Sequence, residues 1–247
     1  MDSRSLRTLE LGAVARLYGL TEEPSITARI APRKEQSAAP QASKVDRASV
    51  VAPPVGIPSE VASMDWKTLR ETVRACTACG LCRQRKQAVF GVGDEAASWL
   101  FVGEGPGADE DEQGDPFVGQ AGRLLDSMLG ALGMRRGADV YIANVVKCRP
   151  PGNRTPTPEE SAACAPYLDR QIDLLAPRLI VALGKTAAVR LLNTEASLAS
   201  LRGRVHRYRD IPVVVTYHPA YLLRSLPEKS KAWEDLVFAR RAIREAA

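Results

Sequence analysis

Aromatic side chains, histidine and long apolar runs are scarce in this chain. Of 247 residues, 5% are aromatic and only two are histidines, too few for a His-rich metal centre. No run approaches the roughly 18 consecutive apolar residues that span a bilayer, and the first residues lack the basic-then-apolar layout of a secretory signal. We therefore expect a cytoplasmic protein with no membrane contact.

Charge and cysteine content narrow the class of protein further. Lys and Arg outnumber Asp and Glu by 34 to 29, and the net charge of +5 mildly favours a polyanionic partner. Five cysteines in a cytosolic chain suggest metal binding, redox or catalytic work rather than disulfides. Their odd number leaves one thiol unpaired in any even scheme.

The N-terminal quarter of the chain differs in composition from the rest. Residues 21–60 are rich in Pro, Ala, Ser and charged residues and show no helical or strand period. Such a segment cannot bury enough apolar surface to offset its chain entropy. We expect residues 1–62 to be a low-complexity, mostly disordered extension that acts as a tether, and residues 63–247 to form the folded domain.

Apolar runs alternate with helical patterns through the rest of the chain. Four strands and four long helices are predicted, the strands at 97–102, 140–146, 179–183 and 212–217, and the helices at 119–132, 158–175, 185–192 and 227–246. Alternating strands and helices form parallel sheets that are covered on both faces. The expected fold is therefore α/β, with three α/β/α layers around a central four-stranded, mainly parallel sheet.

The cysteines fall in two separate segments. Cys76 and Cys79 form a C-x-x-C pair, Cys82 follows three residues later, and Cys148 and Cys164 lie near the helix at 158–175. A helix is predicted before the C-x-x-C pair, which argues against a thioredoxin-like motif. Four thiolates could hold a tetrahedral zinc or a four-iron cluster, although the two segments are too far apart for a standard zinc module. Buried cysteines without a ligand are the third possibility.

The segment after the first predicted strand combines alternating glycines with carboxylates. No Lys-Ser/Thr pair follows the glycines, and the six acids from Glu104 to Asp115 would repel a nucleotide phosphate. Carboxylates at a strand end suit a reaction that develops positive charge or activates water, or else they form a solvent-facing acidic loop. Phe117, near a helix start, is either a stacking platform or a core residue.

His218 directly follows the last apolar strand, and Pro219 fixes the backbone after it. A histidine in this place is either structural or catalytic. Basic residues gather in four runs, at 83–86, 147–154, 202–209 and 224–231. Each run is either a solvated face or part of a surface that follows a phosphate backbone.

These segments, in this order, resemble the motifs of the iron–sulfur branch of the uracil-DNA glycosylase superfamily, usually called family 4. The resemblance covers residues 65–245. The stretch at 103–122 is similar to the first active-site motif, the stretch at 144–154 to the uracil-contact loop that continues into a cluster ligand, and the stretch at 218–224 to the second motif. The order and number of matched motifs make the resemblance specific.

The resemblance implies a cofactor and a set of uracil contacts. A [4Fe–4S] cluster would be held by Cys76, Cys79, Cys148 and Cys164, which leaves Cys82 as the spare thiol. Phe117 would stack on a flipped uracil, and the amide of Asn144 would serve both the O4 acceptor and the N3–H donor, which cytosine reverses. The cluster is expected to be structural.

The resemblance also implies which residues act on the N-glycosidic bond and which contact DNA. His218 and the backbone N–H groups near Gly105 would stabilise the uracil anion at O2, and Glu104 and Glu110 would jointly oppose a cationic sugar or position water. DNA contacts are expected from Arg154, Tyr221, Leu222 and Arg224, with Tyr221 and Leu222 as apolar wedges in the minor groove.

The expected function is a DNA repair glycosylase that removes uracil from single- or double-stranded DNA, leaves an abasic site and acts as a monomer. Related proteins that trap uracil-DNA covalently use a histidine in a basic insertion, whereas residues 149–160 contain none, so turnover is expected. Two alternatives stay open at this point. One is a catalytically silent iron–sulfur DNA-binding protein of the same superfamily, and the other is a zinc-stapled nucleotide-binding domain.

Overall fold

Six strands form a single mixed sheet in a computed structural model that describes residues 59–245. The strands are Val92–Gly93 (β1), Trp99–Gly103 (β2), Val140–Asn144 (β3), Leu179–Leu183 (β4), Val205–Tyr208 (β5) and Ile211–Thr216 (β6). Their order across the sheet is β1-β3-β2-β4-β6-β5. The four inner strands are parallel, and β1 and β5 pair antiparallel at the two edges.

The predicted α/β class and the four parallel strands are confirmed, and the two edge strands were not predicted. β1 has only two residues, too few to show any periodicity. β5 reads Val-His-Arg-Tyr, with three of its four side chains exposed or partly exposed, so it lacks the apolar run that marked the inner strands. Both are short edge strands, which natural sheets use to limit edge pairing.

Residues 59–245 also contain nine helices and two 3₁₀ turns, which precede, connect and follow the strands. The helices are Ser59–Ala62 (α1), Trp66–Ala75 (α2), Ala108–Gln113 (α3), Gln120–Ala131 (α4), Pro158–Leu175 (α5), Lys185–Leu192 (α6), Leu198–Leu201 (α7), Pro219–Leu222 (α8) and Glu228–Glu245 (α9). The 3₁₀ turns are Gly80–Arg83 and Pro151–Asn153. At the start of α5, the Thr157 hydroxyl accepts from the N–H of Glu160, whose carboxylate accepts from the N–H of Thr157. This capping box fixes where the helix begins.

Helices cover both faces of the sheet and give the predicted three layers. All residues of β2, β3 and β4 are buried, as expected for inner parallel strands. On one face, Leu168 and Ile172 of α5 share a core with Leu100 of β2. On the other face, Leu125 of α4 and Leu236 of α9 pack with the opposite side of the same strands. The sheet is thereby held from both sides, and the loops at its carboxyl edge are left free for a site.

The described fold begins slightly before the expected boundary at Ser63. Val61 is buried in a small cluster with Leu69, Val73 and Phe90, so α1 is part of the folded unit. The extension predicted at 1–62 otherwise lies outside the described residues, as do residues 246 and 247. None of the helices that the structure describes combines the length and the apolar character needed to cross a membrane.

Candidate functional site

The carboxyl ends of the parallel strands open into one pocket of about 500 Å³. Loops that follow β2, β3, β4 and β6 all contribute to its wall, as the rule for ligands of parallel sheets predicts. The predicted site residues that line it are Glu104, Gly105, Glu110, Phe117, Asn144, Arg154, His218, Tyr221 and Arg224. The three distant segments singled out in the sequence therefore meet at one rim.

Phe117 is held in an unusual backbone conformation at the floor of this pocket. Its φ of 56° lies in the left-handed region, which is uncommon for a bulky residue. The guanidinium of Arg136 donates to the carbonyls of Pro116 (2.7 Å) and Phe117 (2.8 Å). A Cβ at Gly122 would lie 1.7 Å from the Phe117 carbonyl oxygen, so this position of α4 requires glycine. Sequence reasoning missed Arg136.

Asn144 presents an unpaired amide oxygen at the end of β3. The residue is 2% exposed, and among the described residues its Oδ1 has no hydrogen-bond partner. A buried acceptor left unpaired costs about 1–3 kcal/mol, which marks it as a group kept for a ligand. A Cβ at Gly103 would lie 2.4 Å from this Oδ1 and 2.6 Å from Cζ of Phe117. Glycine at 103 is what allows the amide and the ring to approach each other.

His218 lies beside Phe117 in the wall of the pocket, and their rings are stacked. Burial and, to a smaller extent, the positive charge of Arg224 lower the pKa of His218 to about 4, against the opposing effect of the Glu110 carboxylate. Its Nδ1 accepts from the backbone N–H of Ala220 at 3.2 Å. The neutral imidazole therefore carries its proton on Nε2, which becomes the hydrogen-bond donor.

The two candidate acids have different surroundings. Glu110 accepts from the N–H groups of Gly107 (3.0 Å), Val118 (2.9 Å) and Gly119 (3.1 Å), so both of its oxygens are engaged by the backbone on either side of Phe117. Glu104 also lines the pocket, and its carboxylate accepts from the hydroxyl of Thr186. Glu110 is therefore built to shape the loop, and Glu104 is the better placed of the two to act on a ligand.

The prediction that Leu222 is a wedge is wrong for this conformation. Leu222 is 1% exposed and packs inside, whereas its neighbours Tyr221 and Leu223 are 39% and 38% exposed. The reason is the helical turn of α8, which places Pro219 and Leu222, three residues apart, on its buried side. Tyr221 stacks on Tyr217 with ring centroids 5.3 Å apart, and the guanidinium of Arg202 lies 4.6 Å from the Tyr217 ring centroid.

The basic residues at the rim are only partly as predicted. Arg154 forms a two-pronged ion pair with the carboxylate of Glu160, at 2.8 and 2.7 Å, so it would have to share its charge with a phosphate. Sequence reasoning missed Lys185, an exposed residue that follows β4 and lines the pocket. Its position after the third predicted strand, at the same edge as the other segments, was the signal that could have found it.

All five cysteines line a second, smaller cavity behind the pocket. The five thiols form no disulfide. Protein groups donate to three of the sulfur atoms: Arg85 to Cys148 at 2.8 Å, the N–H of Lys147 to Cys164 at 3.2 Å, and the Tyr167 hydroxyl to Cys76 at 3.3 Å. Arg85, in the first basic run, thus faces the sulfur atoms and not a phosphate surface.

The donor set is chemically compatible with an iron–sulfur cluster, because the thiols lie around one shared cavity and cysteine thiolates are the usual ligands of such clusters. Within residues 59–245, no three His, Cys, Asp or Glu side chains come together as ligands of one metal ion would. Burial raises the pKa of the Cys164 thiol to about 12, so its thiolate requires a strongly positive partner. Cys82, the predicted spare thiol, also lines this cavity.

Comparison with known proteins gives the family. A family model described as the Uracil DNA glycosylase superfamily matches residues 90–237, more than half of the chain, and the chain belongs to this superfamily. It is 45% identical over 181 residues to the type-4 uracil-DNA glycosylase of Pyrobaculum aerophilum, covering 70% of this chain and 92% of that protein. Within the superfamily, it is therefore a member of the type-4 family.

A second type-4 relative agrees with this assignment, and a type-5 relative agrees with the superfamily. The type-4 uracil-DNA glycosylase of Thermotoga maritima is 50% identical over 157 residues, covering 63% of this chain and 81% of that protein. A type-5 uracil-DNA glycosylase of Thermus thermophilus is 35% identical over 173 residues, covering 56% of this chain and 76% of that protein. The family predicted from the three sequence motifs is confirmed.

Proposed function

We propose that this protein is a DNA repair enzyme that hydrolyses the N-glycosidic bond between uracil and deoxyribose in DNA and leaves an abasic site. The observation that carries the proposal is the unpaired, buried Oδ1 of Asn144, which lies in one pocket with the ring of Phe117 and the imidazole of His218. A base can enter this pocket at the end of the parallel sheet only if its nucleotide is rotated out of the DNA helix.

Recognition of uracil follows from the hydrogen-bonding capacity of Asn144. Its Oδ1 accepts from N3–H of uracil, and its Nδ2 donates to O4. Cytosine carries an acceptor at N3 and a donor at C4, so both bonds would be replaced by unpaired, buried groups. A site built on such bonds can reject the mismatched analogue by about 10⁴-fold. Phe117 supplies a flat apolar surface for the ring.

Bond cleavage develops opposite charges on base and sugar. As the bond from N1 to C1′ breaks, its electron pair stays with uracil, and the Nε2–H of neutral His218 donates to the negative charge at O2. Backbone N–H groups near Gly105 contribute to the same stabilisation. The carboxylate of Glu104 opposes the cationic sugar and orients the water whose oxygen bonds to C1′. The proton that this water loses passes to the uracil anion, which leaves as neutral uracil, while Glu110 holds the loop around Phe117.

The DNA backbone is bound at the rim of the pocket. Arg224, Lys185 and Arg154 supply positive charge for the phosphates on both sides of the flipped nucleotide. Tyr221 and Leu223 are the exposed apolar groups beside the pocket, and we assign to them the wedge role that the sequence suggested for Tyr221 and Leu222.

A [4Fe–4S] cluster is the cofactor that we propose for the cysteine cavity, held by Cys76, Cys79, Cys148 and Cys164. When bound, it supplies four strong sulfur–iron bonds and no step of the hydrolysis. Those bonds would tie the end of α2 to the loop after β3 and to α5. The enzyme acts as a cytoplasmic monomer, and residues 1–58 serve as a tether.

The proposal is tested with single- and double-stranded oligonucleotides that carry one uracil. After incubation with the purified holoenzyme, alkali should cleave the strand at the uracil position, and free uracil should be released in equal amount. Asn144→Ala should lower the rate of this cleavage by about 10⁴-fold, and Lys67→Met, a surface change on α2, should leave it unchanged. Tight DNA binding without release of uracil would overturn the proposal and favour a catalytically silent DNA-binding protein.

A further inference from the structure

A fully buried lysine lies between the cysteine cavity and the uracil pocket. Lys147 is 1% exposed, and its Nζ donates to the backbone carbonyl of Asn144 at 2.9 Å and to Oε1 of Gln171 at 2.6 Å. Lysine is almost never fully buried unless its amine is paired. An apolar side chain of similar length would fill the same space without this desolvation penalty, so the two hydrogen bonds need an explanation.

The partner of Lys147 is itself fixed by the core. Gln171 is 0% exposed, and its Nε2 donates to the Phe90 carbonyl at 3.0 Å and to the Tyr141 hydroxyl at 3.4 Å. Tyr141 belongs to the core on one face of the sheet and Phe90 to the small cluster around Val61, and both lie outside the pocket. Gln171 therefore gives the amine of Lys147 a position that does not depend on a bound ligand.

The backbone of Lys147 is bonded on the other side to a proposed cluster ligand. Its N–H donates to Sγ of Cys164 at 3.2 Å, and its carbonyl accepts from Val89 at 2.7 Å. Cys148, another proposed ligand, is the next residue in the chain. One residue thus contacts the sulfur atoms through its main chain and the uracil-reading residue through its side chain.

We propose that Lys147 is a positioning residue that fixes the Asn144 amide for uracil through the Asn144 carbonyl, with Gln171 as its anchor. This inference rests on the proposed function. Asn144 is the last residue of β3 and pairs with Gly103, and the N–H groups of Val145 and Val146 still donate to the carbonyls of Gly103 and Glu104. The carbonyl of Asn144 itself accepts from Nζ of Lys147, so this bond fixes the peptide from which the side chain leaves the backbone. A displacement of about 1 Å in such a group can reduce the rate by about 100-fold.

The first test compares Lys147→Met with Lys67→Met, a lysine change on the exposed face of α2. Methionine keeps the length of the side chain and removes its donors. Lys147→Met should bind iron and acid-labile sulfide in the wild-type ratio and lose about 100-fold in kcat/KM on uracil-DNA, while Lys67→Met keeps both. Gln171→Met removes only the anchor of the Lys147 amine, so it should keep its iron and lose a smaller factor of about 10-fold in kcat/KM.

The second test is a double-mutant cycle that a merely structural role would not satisfy. If Lys147 acts through Asn144, then Lys147→Met should change the residual activity of Asn144→Ala by less than about 3-fold, and Gln171→Met should behave in the same way. Additive losses with active wild-type enzyme would overturn the positioning role and leave the proposed function intact. Failure of both single variants to fold would also overturn it, because the pair would then serve core stability. Wild-type protein that releases no uracil would overturn both proposals.

Discussion

The imidazole of His218 stacks on the ring of Phe117, with centroids 5.4 Å apart and ring planes inclined by 29°. The two residues reach this contact from different strand ends, since Phe117 belongs to the loop after α3 and His218 caps α8. Their pairing closes one wall of the pocket that also contains the Asn144 amide. The ring contact depends on the left-handed backbone at Phe117, and that backbone depends on groups that touch no substrate.

Arg136→Met should weaken excision without unfolding the protein. The substitution removes both hydrogen bonds to the carbonyls of Pro116 and Phe117, so the strained φ of Phe117 would relax and the ring would leave its place. We expect kcat/KM for uracil-DNA to fall by about 10- to 100-fold. Arg135→Met, an exposed neighbour, is the matched control. Equal activity of the two variants would contradict the clamp role of Arg136.

Gly103→Ala should block the base of the uracil pocket. The added Cβ would lie 2.4 Å from the Asn144 amide oxygen and 2.6 Å from the Phe117 ring, so one of the two must move. We expect at least about 100-fold lower kcat/KM for uracil-DNA with a native circular dichroism spectrum. Gly130→Ala in α4 meets no atom within 4 Å and should be fully active and slightly more stable. An active Gly103→Ala enzyme would mean that the base binds elsewhere.

Periodicity and motif order were enough to predict the inner sheet, the long helices and most of the pocket. Those elements are set by local apolar patterns such as the run at 179–183, and parallel topology then brings their ends together. Arg136 could not be found this way, because its partners are main-chain carbonyls 19 and 20 residues earlier. Every residue has a main-chain carbonyl, so a contact with one requires no particular residue type and cannot be recognised in the sequence.

The sequence also could not predict which side chains of a short segment are buried. Leu222 and Leu223 are identical in type and adjacent, yet only Leu223 is exposed, because the single turn of α8 decides which one faces the core. The roles of Glu104 and Glu110 likewise depend on tertiary contacts. Both acids lie in one motif, and only the three backbone donors around Glu110 separate a loop-shaping carboxylate from one that faces the ligand.

Substitution of the two acids by glutamine should separate these roles. In Glu104→Gln, the hydrogen bond from Thr186 can persist while the negative charge is lost, so kcat should fall with little change in stability. In Glu110→Gln, an amide NH₂ would replace one acceptor of backbone N–H groups, and the free energy of unfolding should fall by about 1–3 kcal/mol. Single-turnover kinetics and denaturant titration measure the two effects. The reverse pattern would assign the ligand-facing role to Glu110.

The cysteine assignment makes a prediction about iron content. Cys164 is buried and accepts from the N–H of Lys147, so Cys164→Ala should lose most of its iron and its broad absorbance near roughly 400 nm. Cys82 is only partly buried and lies at the edge of the cavity, where it also lines a surface pocket with Arg74 and Lys86. Cys82→Ala should keep its iron. Loss of iron from Cys82→Ala with retention in Cys164→Ala would reverse their roles.

The protonation of His218 gives a prediction that does not depend on catalysis. Burial lowers the pKa of His218 from its ordinary value near 6.5 to about 4, and the N–H of Ala220 occupies Nδ1. NMR of the imidazole nitrogens should therefore find His218 neutral, with its proton on Nε2, at every pH above about 5. The His206→Asn variant leaves one histidine in the chain and makes the assignment unambiguous.

The lowered pKa of His218 also determines the direction in which pH changes the stability of the protein. Between pH 6.5 and 4 the unfolded chain binds a proton at this histidine and the folded chain does not, so the contribution of His218 to stability is complete above pH 6.5 and is lost as the pH falls toward 4. The slope is at most about 1.4 kcal/mol per pH unit. His218→Asn should lack this part of the decline when its unfolding is compared with that of wild type. An imidazole that titrates near 6.5, or carries its proton on Nδ1, would remove the donor on which stabilisation of the uracil anion depends.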